Sequence, residues 1–387
     1  MSGGVQIPFS SSPRSSLGVE WELELVDLQS RELRGAASDI LAELAGPHGG
    51  EHPKAKHELL ESCIEIITGV CGTVDEAVAD LRATLDEVTG AAAKRGLGVM
   101  CSGTHPFTDW ATQQISPNPR YAKLIEDMQW LARRLQIFGV HVHVGVRSPD
   151  KAIPIVNALT AYIPHFLALS ASSPYWLGTD TGLASARSKV FEGLPTAGLP
   201  YQLSGWDDFE NFMETLISAQ TISTIREVWW DVRPHPQFGT VELRICDGLP
   251  TLREIGWAAA LSQCLVEMFN GQLDKGYTLP TPKGWTVREN KWRAARYGVD
   301  AEIILDDTGR TAPLRDVVLE LVDDLAPIAD RLDCSKELLR AKEIAATGPS
   351  YQRQRAAADA ADGDLRAVVD ALVAEMRDNL PMSAPPT

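Results

Sequence analysis

The chain has 387 residues, 44% of them apolar and 23% charged, enough to bury a sizeable core and too apolar for a disordered polymer. Acidic residues outnumber basic ones 52 to 36, a formal charge of −16, so a nucleic-acid partner, which would be held by lysine and arginine, is not expected. The six cysteines (Cys63, Cys71, Cys101, Cys246, Cys264, Cys334) include no C-x-x-C pair, which removes zinc-ribbon and thioredoxin readings and leaves reduced thiols in a cytoplasmic protein as the expectation.

Residues 1–16 are rich in Ser, Gly and Pro, lack the apolar core of a signal peptide, and are expected to form a disordered tail; residues 381–387 form a second. Between them no linker or repeat appears, and one catalytic domain over 17–380 is expected. Leu17–Val26 alternates apolar and acidic residues, the pattern of a strand with Trp21 turned to the core and Glu20, Glu22 and Glu24 on one side. Glu61–Val70 is a second strand with Glu61 and Glu65 on one face and Glu58 just before it. Thr73–Arg95 reads as a helix, with a Thr73/Glu76 capping box and an apolar stripe of Val74, Ala77, Val78, Leu81, Leu85 and Val88. Tyr121–Leu135 is predicted as another.

Phe138–Val146 is a third strand, with Val140, Val142 and Val144 on the core face and His141 and His143 on the other. The longest apolar stretch, Ile155–Ser170, is broken by Asn157, Pro164 and His165 and falls short of the roughly 20 residues of a membrane span, so it reads as a buried helix and no membrane partner is expected. Trp206–Ile217 is helical. Gly239–Cys246 is a fourth strand, with Glu242 and Arg244 sharing a face. Helices over Leu252–Met268, Leu314–Leu332 and Asp364–Asp378 make the last third look all-helical. Strands separated by helices without a βαβ cadence predict an α+β fold on a mainly antiparallel sheet.

Each of the four strands carries a polar stripe, and one sheet has only two exposed edges on which such stripes would be inconsequential. A shared polar cavity accounts for all four, and a row of carboxylates facing a cavity calls for hard divalent cations, Mg²⁺ or Mn²⁺. The His-x-His pair alone also serves metal hydrolases and buried histidines. There is no P-loop and no G-x-G-x-x-G turn, so phosphates would have to be held by metal ions and arginines.

The runs LGVEWEL (17–23), ELLESCIEIITGV (58–70), GTHPF (103–107), VHVHVGV (140–146), SSPYWLGTDTGLASARS (172–188) and WWDVRPHPQFGTVELRICD (229–247) resemble, in order, the blocks of the carboxylate-amine ligase family, and within it the glutamate-cysteine ligase type 2 group. The resemblance implies a glutamine synthetase-like curved sheet whose concave face holds ATP, divalent metal and substrate. It implies metal ligation by Glu20, Glu22, Glu58, Glu65, His141 and Glu242, nucleotide phosphates near His143, and Arg244 facing the transferred phosphoryl group. Arg233 and Arg187 become further candidates for phosphate or substrate carboxylate. The implied reaction joins an amino acid or other carboxylate to an amine through an acyl phosphate, in a homodimer. A metal-dependent hydrolase using His141 and His143, or a non-catalytic nucleotide-binding relative, are the alternatives. Glu24 and Glu61 stay open between solvated and functional carboxylates, His105 reads as a buried histidine, Trp229 and Trp230 as packing residues, and Gly348–Arg355 as a candidate lid.

Overall fold

The computed structural model describes residues 7–46 and 50–382. In chain order the strands are β1 (Leu17–Asp27), β2 (Ala55–His57), β3 (Cys63–Ile67), β4 (Leu97–Met100), β5 (Val140–Gly145), β6 (Tyr175–Trp176), β7 (Thr179–Asp180), β8 (Val232–His235), β9 (Thr240–Leu243), β10 (Glu302–Ile304) and β11 (Thr311–Pro313). Seven of them form one sheet in the order β2-β3-β1-β5-β9-β8, with β4 alongside the second half of β1. Every pairing in it is antiparallel. With helices packed on the sheet and filling most of the last third, this is the expected α+β fold.

The period-two pattern decides which face is core. Val19, Trp21, Leu23 and Leu25 of β1 and Val140, Val142 and Val144 of β5 are buried in one apolar cluster with helices Val74–Ala93, Pro149–Leu159 and Leu252–Asp274. Trp21 is inaccessible and donates its indole N–H to the Leu249 carbonyl at 3.0 Å, so its one polar atom is satisfied where it is buried. Helix Val74–Ala93 starts where the capping box was expected, with both reciprocal Thr73–Glu76 bonds formed.

Several boundaries differ. The helix expected over Tyr121–Leu135 is two, Pro119–Met128 and Trp130–Arg133, because Gln129 between them takes a positive φ of 48°. The second strand begins at Cys63, two residues after Glu61. The last third holds a hairpin, β10–β11, and the additional helices Gly284–Tyr297, Ser335–Thr347 and Ser350–Ala360. The helical stretch Pro149–Ser170 has 22 residues, longer than expected and sufficient by length and composition to cross a membrane, but 83% of its apolar window is buried inside the protein.

Two expectations are corrected outright. Residues 7–16 are not a loose tail: Ser10 and Ser12 donate backbone N–H groups to the carbonyls of Pro236 (2.8 Å) and Val146 (3.2 Å), and Arg14 pairs with Glu267 at 2.7 Å. Residues 1–6 and 383–387 lie outside the described residues. The segment Gly348–Arg355 is not a lid: Ser350, Tyr351, Arg353 and Gln354 are buried, and Arg353 is held between Glu254 (2.8 Å) and Glu375 (2.7 Å). Pulling a buried, paired guanidinium out of such a network costs several kcal/mol, about 3–5, which no hinge would tolerate.

Candidate active site

The sheet face opposite the core carries a cavity of about 820 Å³, lined by Glu20, Glu22, Glu58, Glu65, His141, Arg187, Arg233, Glu242 and Arg244 among others. Strand register brings them together. β1 places Glu20 opposite His141 of β5 and Glu22 opposite Glu65 of β3, while His143 stands opposite Glu242 of β9. Adjacent strands lie roughly 4.8 Å apart, so opposed side chains on one face can share a small ligand. Two overlapping sets result, Glu20–His141–Glu242 and Glu22–Glu65–His141, in each of which one donor atom per residue lies within 4.8 Å of the others. Glu58 comes from the connection before β3 and faces the same space.

Hydrogen bonds fix the imidazoles. His141 Nδ1 lies 3.0 Å from Glu20 Oε2, and His143 Nδ1 lies 2.9 Å from the Thr240 hydroxyl. His143 Nε2 comes within 3.3 Å of Glu20 Oε1 without forming a hydrogen bond. Electrostatics divide the carboxylates. Burial, reinforced by Glu58, pushes Glu22 up to about 8; burial also raises Glu58, and raises Glu65 well above the usual carboxylate range with Glu20 adding to it. Burial works against the charge on Glu20 and Glu242 too, but His143 and His141 hold Glu20 low, and Arg233 and Arg244 hold Glu242 well below the usual carboxylate range. Burial and then Arg244 depress His141 to about 4, whereas Glu242 and Glu20 outweigh burial at His143 and raise it. Without a cation this cavity keeps protons on carboxylates that a divalent ion would ionise.

The three arginines do different things. Arg244, just past β9, reaches Glu242 and lies 3.4 Å from His141 Nδ1, with its Nε left without a partner. Arg187, on helix Ala186–Phe191, lines the cavity and donates only long bonds to the carbonyls of Ile245 (3.4 Å) and Arg244 (3.5 Å). Its guanidinium occupies the space where Gly139 has no side chain. Arg233 departs from expectation. It grips Glu242 with Nε (2.7 Å) and Nη2 (3.2 Å) and spends Nη1 on the carbonyls of Ile225 and Val228. With four of its five donor hydrogens committed to protein, it orients Glu242 instead of reaching a phosphate.

Glu24 and Glu61 do not join the site. Glu24 lies where β1 pairs with β4, fully buried, accepting from the Ser102 N–H (2.8 Å) and hydroxyl (2.9 Å); burial pushes it up to about 8, so it is a neutral core acid. Glu61 accepts from the Ser38 N–H at 3.1 Å and its hydroxyl at 2.7 Å, at the start of helix Ala37–Ala45. Trp230 is a packing residue in a satellite apolar cluster, but Trp229 also lines the cavity. Sequence reading passed over Arg120, Arg226, His57, His235 and Phe238, which line it as well. It also missed Asp247, whose buried carboxylate accepts from Ser172, Ser173 and Ser185 behind Arg187. Only the H-P-Q-F run just before the predicted strand Gly239–Cys246 could have drawn attention to His235 and Phe238.

Known proteins resemble this chain over nearly its whole length. The sequence profile of glutamate-cysteine ligase family 2 (GCS2) matches residues 16–371. A Frankia alni protein named "Putative glutamate--cysteine ligase 2-1" is 65% identical over 381 residues, 98% of this chain and 100% of that one. A Thermobifida fusca protein named "Putative glutamate--cysteine ligase 2" is 57% identical, covering 97% and 94%. The crystal structure of a Francisella tularensis glutamate-cysteine ligase in complex with AMP has a TM-score of 0.66 to this chain at 13% identity, covering 96% of this chain and 93% of that one, so the two share a fold. Matched over nearly its whole length, this chain belongs to glutamate-cysteine ligase family 2.

Proposed function

We propose that the protein is an ATP-dependent carboxylate-amine ligase that forms a γ-glutamyl amide from small molecules, an amino acid or other carboxylate and an amine. The observation that carries this is the convergence of two overlapping sets of hard donors, built on Glu20, Glu22, Glu65, His141 and Glu242, beside Arg244 in one cavity. Family membership favours this reading over a hydrolase built on His141 and His143 or a non-catalytic relative.

The donor chemistry fits Mg²⁺ or Mn²⁺: mostly carboxylate oxygen, one shared imidazole, and carboxylates held protonated for want of positive charge. Glu20, Glu22, Glu58, Glu65, His141 and Glu242 would hold the metal, which when bound supplies the positive charge that a triphosphate and this many carboxylates need to coexist. His143 faces the nucleotide phosphates. Arg187 receives the substrate carboxylate, whose oxygen attacks the γ-phosphorus of ATP as the bond to the bridging oxygen breaks and ADP leaves. Arg244 stabilises the charge on the phosphoryl group in transfer, since positioning and electrostatics supply most of this catalysis. The amine nitrogen then attacks the acyl carbon, phosphate departs, and the amine loses a proton. Residues 17–380 act as one catalytic domain, and a cytoplasmic homodimer is the expected form.

The test is ADP and phosphate release on mixing enzyme, MgATP and glutamate with a panel of amines. Release that requires both acid and amine is expected; amide hydrolysis without nucleotide would overturn the proposal.

A further inference from the structure

The cavity wall is graded along β9. At one end is the tip of the β8–β9 hairpin, with Phe238 half exposed and stacked on His235, ring centroids 4.2 Å apart and planes 10° from parallel. His235 is buried to 5% exposure, and its Nδ1 has no hydrogen-bond partner. His143 meets both rings edge-on, at 5.4 Å and 5.6 Å. Next along the strand comes Glu242, opposite His143, then Arg244, and beside Arg244 the guanidinium of Arg187. β9 itself, Thr240–Leu243, spans roughly 10 Å at about 3.4 Å per residue, with Phe238 in the turn before one end and Arg244 just past the other.

The two ends differ in charge. Arg187 and Arg244 gather at one, which suits a carboxylate and a phosphoryl group in transfer; the hairpin end offers flat rings, where burial lowers His235 to about 4 and leaves it neutral. A neutral ring pair beside a polar wall suits a planar heterocycle and offers a carboxylate nothing. The tip is also held rigid from behind. Ser10 donates its N–H to the Pro236 carbonyl at 2.8 Å, and Ser12 its hydroxyl to the Phe238 carbonyl at 2.5 Å. Gly239 takes a positive φ of 63°, and a Cβ there would collide with the Ser10 carbonyl, so glycine is required for the segment to lie against the turn.

We propose that Phe238, stacked on His235, is the platform for the nucleotide base, so that the triphosphate runs along β9 past His143 toward Arg244 and the acid substrate enters from the Arg187 end. This rests on the ligase reading above and adds the direction of the nucleotide within it. The experiment is calorimetric titration of the full chain with MgATP and, separately, with magnesium tripolyphosphate, which has the phosphates without the base. Phe238→Ala should weaken MgATP about tenfold or more, the size of one lost base stack, leave tripolyphosphate unchanged, and be restored by Phe238→Trp. Unchanged MgATP affinity, or equal losses for both ligands, would place the base elsewhere and overturn the proposal. A wild-type protein that binds tripolyphosphate as tightly as MgATP overturns the platform alone, whereas one that binds neither removes the nucleotide reading and the platform together.

Discussion

Arg233 and Arg244 show how identical side chains from neighbouring strands serve different ends. Arg233 grips the buried Glu242 from behind with two donors, so Arg233→Met leaves that carboxylate to Arg244 and should lower unfolding stability by about 1.5–3 kcal/mol in urea titration. Arg244 lines the cavity with its Nε unpartnered, and Arg244→Lys preserves charge but not the fork. That variant should fold with near-normal stability while turnover in the ADP-release assay drops on the order of a hundredfold. Equal effects of the two substitutions would show that the division of labour is wrong. His105 illustrates a titration confined to the core. Burial lowers it to about 3, against 6.5 in the open chain, while its ring nitrogens serve the Arg31 carbonyl and the N–H groups of Phe107 and Thr108. Below pH 6.5 the unfolded chain takes up a proton that the folded protein refuses, so this contribution is complete above pH 6.5 and is lost progressively as pH falls toward about 3. Denaturation of wild type and His105→Asn between pH 7 and 5 should show wild type losing roughly 2 kcal/mol over that range relative to the variant.

At the scale of elements, the helical last third contributes no cavity-lining residue among the described residues, yet it reaches the site through a buried cation. Lys291, on helix Gly284–Tyr297, pairs at 2.6 Å with both Asp231 and Glu192. Glu192 ends the helix that carries Arg187, and the Asp231 carbonyl accepts the Arg244 N–H at 2.7 Å. One ammonium therefore ties together the two pieces of chain that present the cavity arginines. Lys291→Met should destabilise by about 3–5 kcal/mol and also lower turnover, and Asp231→Asn added to it should recover part of the stability, because the uncompensated carboxylate is then gone. If the double variant proves no more stable than the single one, the pair is not the source of the loss.

For the whole molecule, a cavity that gathers the carboxylates of Glu20, Glu22, Glu58, Glu65 and Glu242, three of them raised, is a folded state waiting for positive charge. Thermal unfolding should shift upward with Mg²⁺ concentration, the stabilisation growing as the logarithm of metal over Kd and reaching about 2.7 kcal/mol at a hundredfold excess. Binding should release protons, and the apparent affinity should rise with pH through about 8, where Glu22 gives up its proton. Metal titrations in buffers of different ionisation enthalpy check this; a heat independent of buffer would contradict it.

Alternation of side chains at period two is a local property, and it alone made legible which residues of β1, β5 and β9 face the core and which face the cavity, together with the capped helix Val74–Ala93. Chemistry-bearing residues on β1, β3, β5 and β9, namely Glu20, Glu22, Glu65, His141 and Glu242, could be named from that pattern and the family blocks. Register and partner choice belong to the assembled sheet. Only there did Glu24 turn out to face β4 and the core, Glu61 to bind a helix start, and Arg233 to stand behind Glu242. Segment 7–16, the buried Gly348–Arg355 stretch and the Phe238 platform were hidden for the same reason: their settings come from partners distant in the chain, such as Ser10 against Pro236 and Arg353 against Glu254, and a sequence window holds no record of which distant surface will complete it.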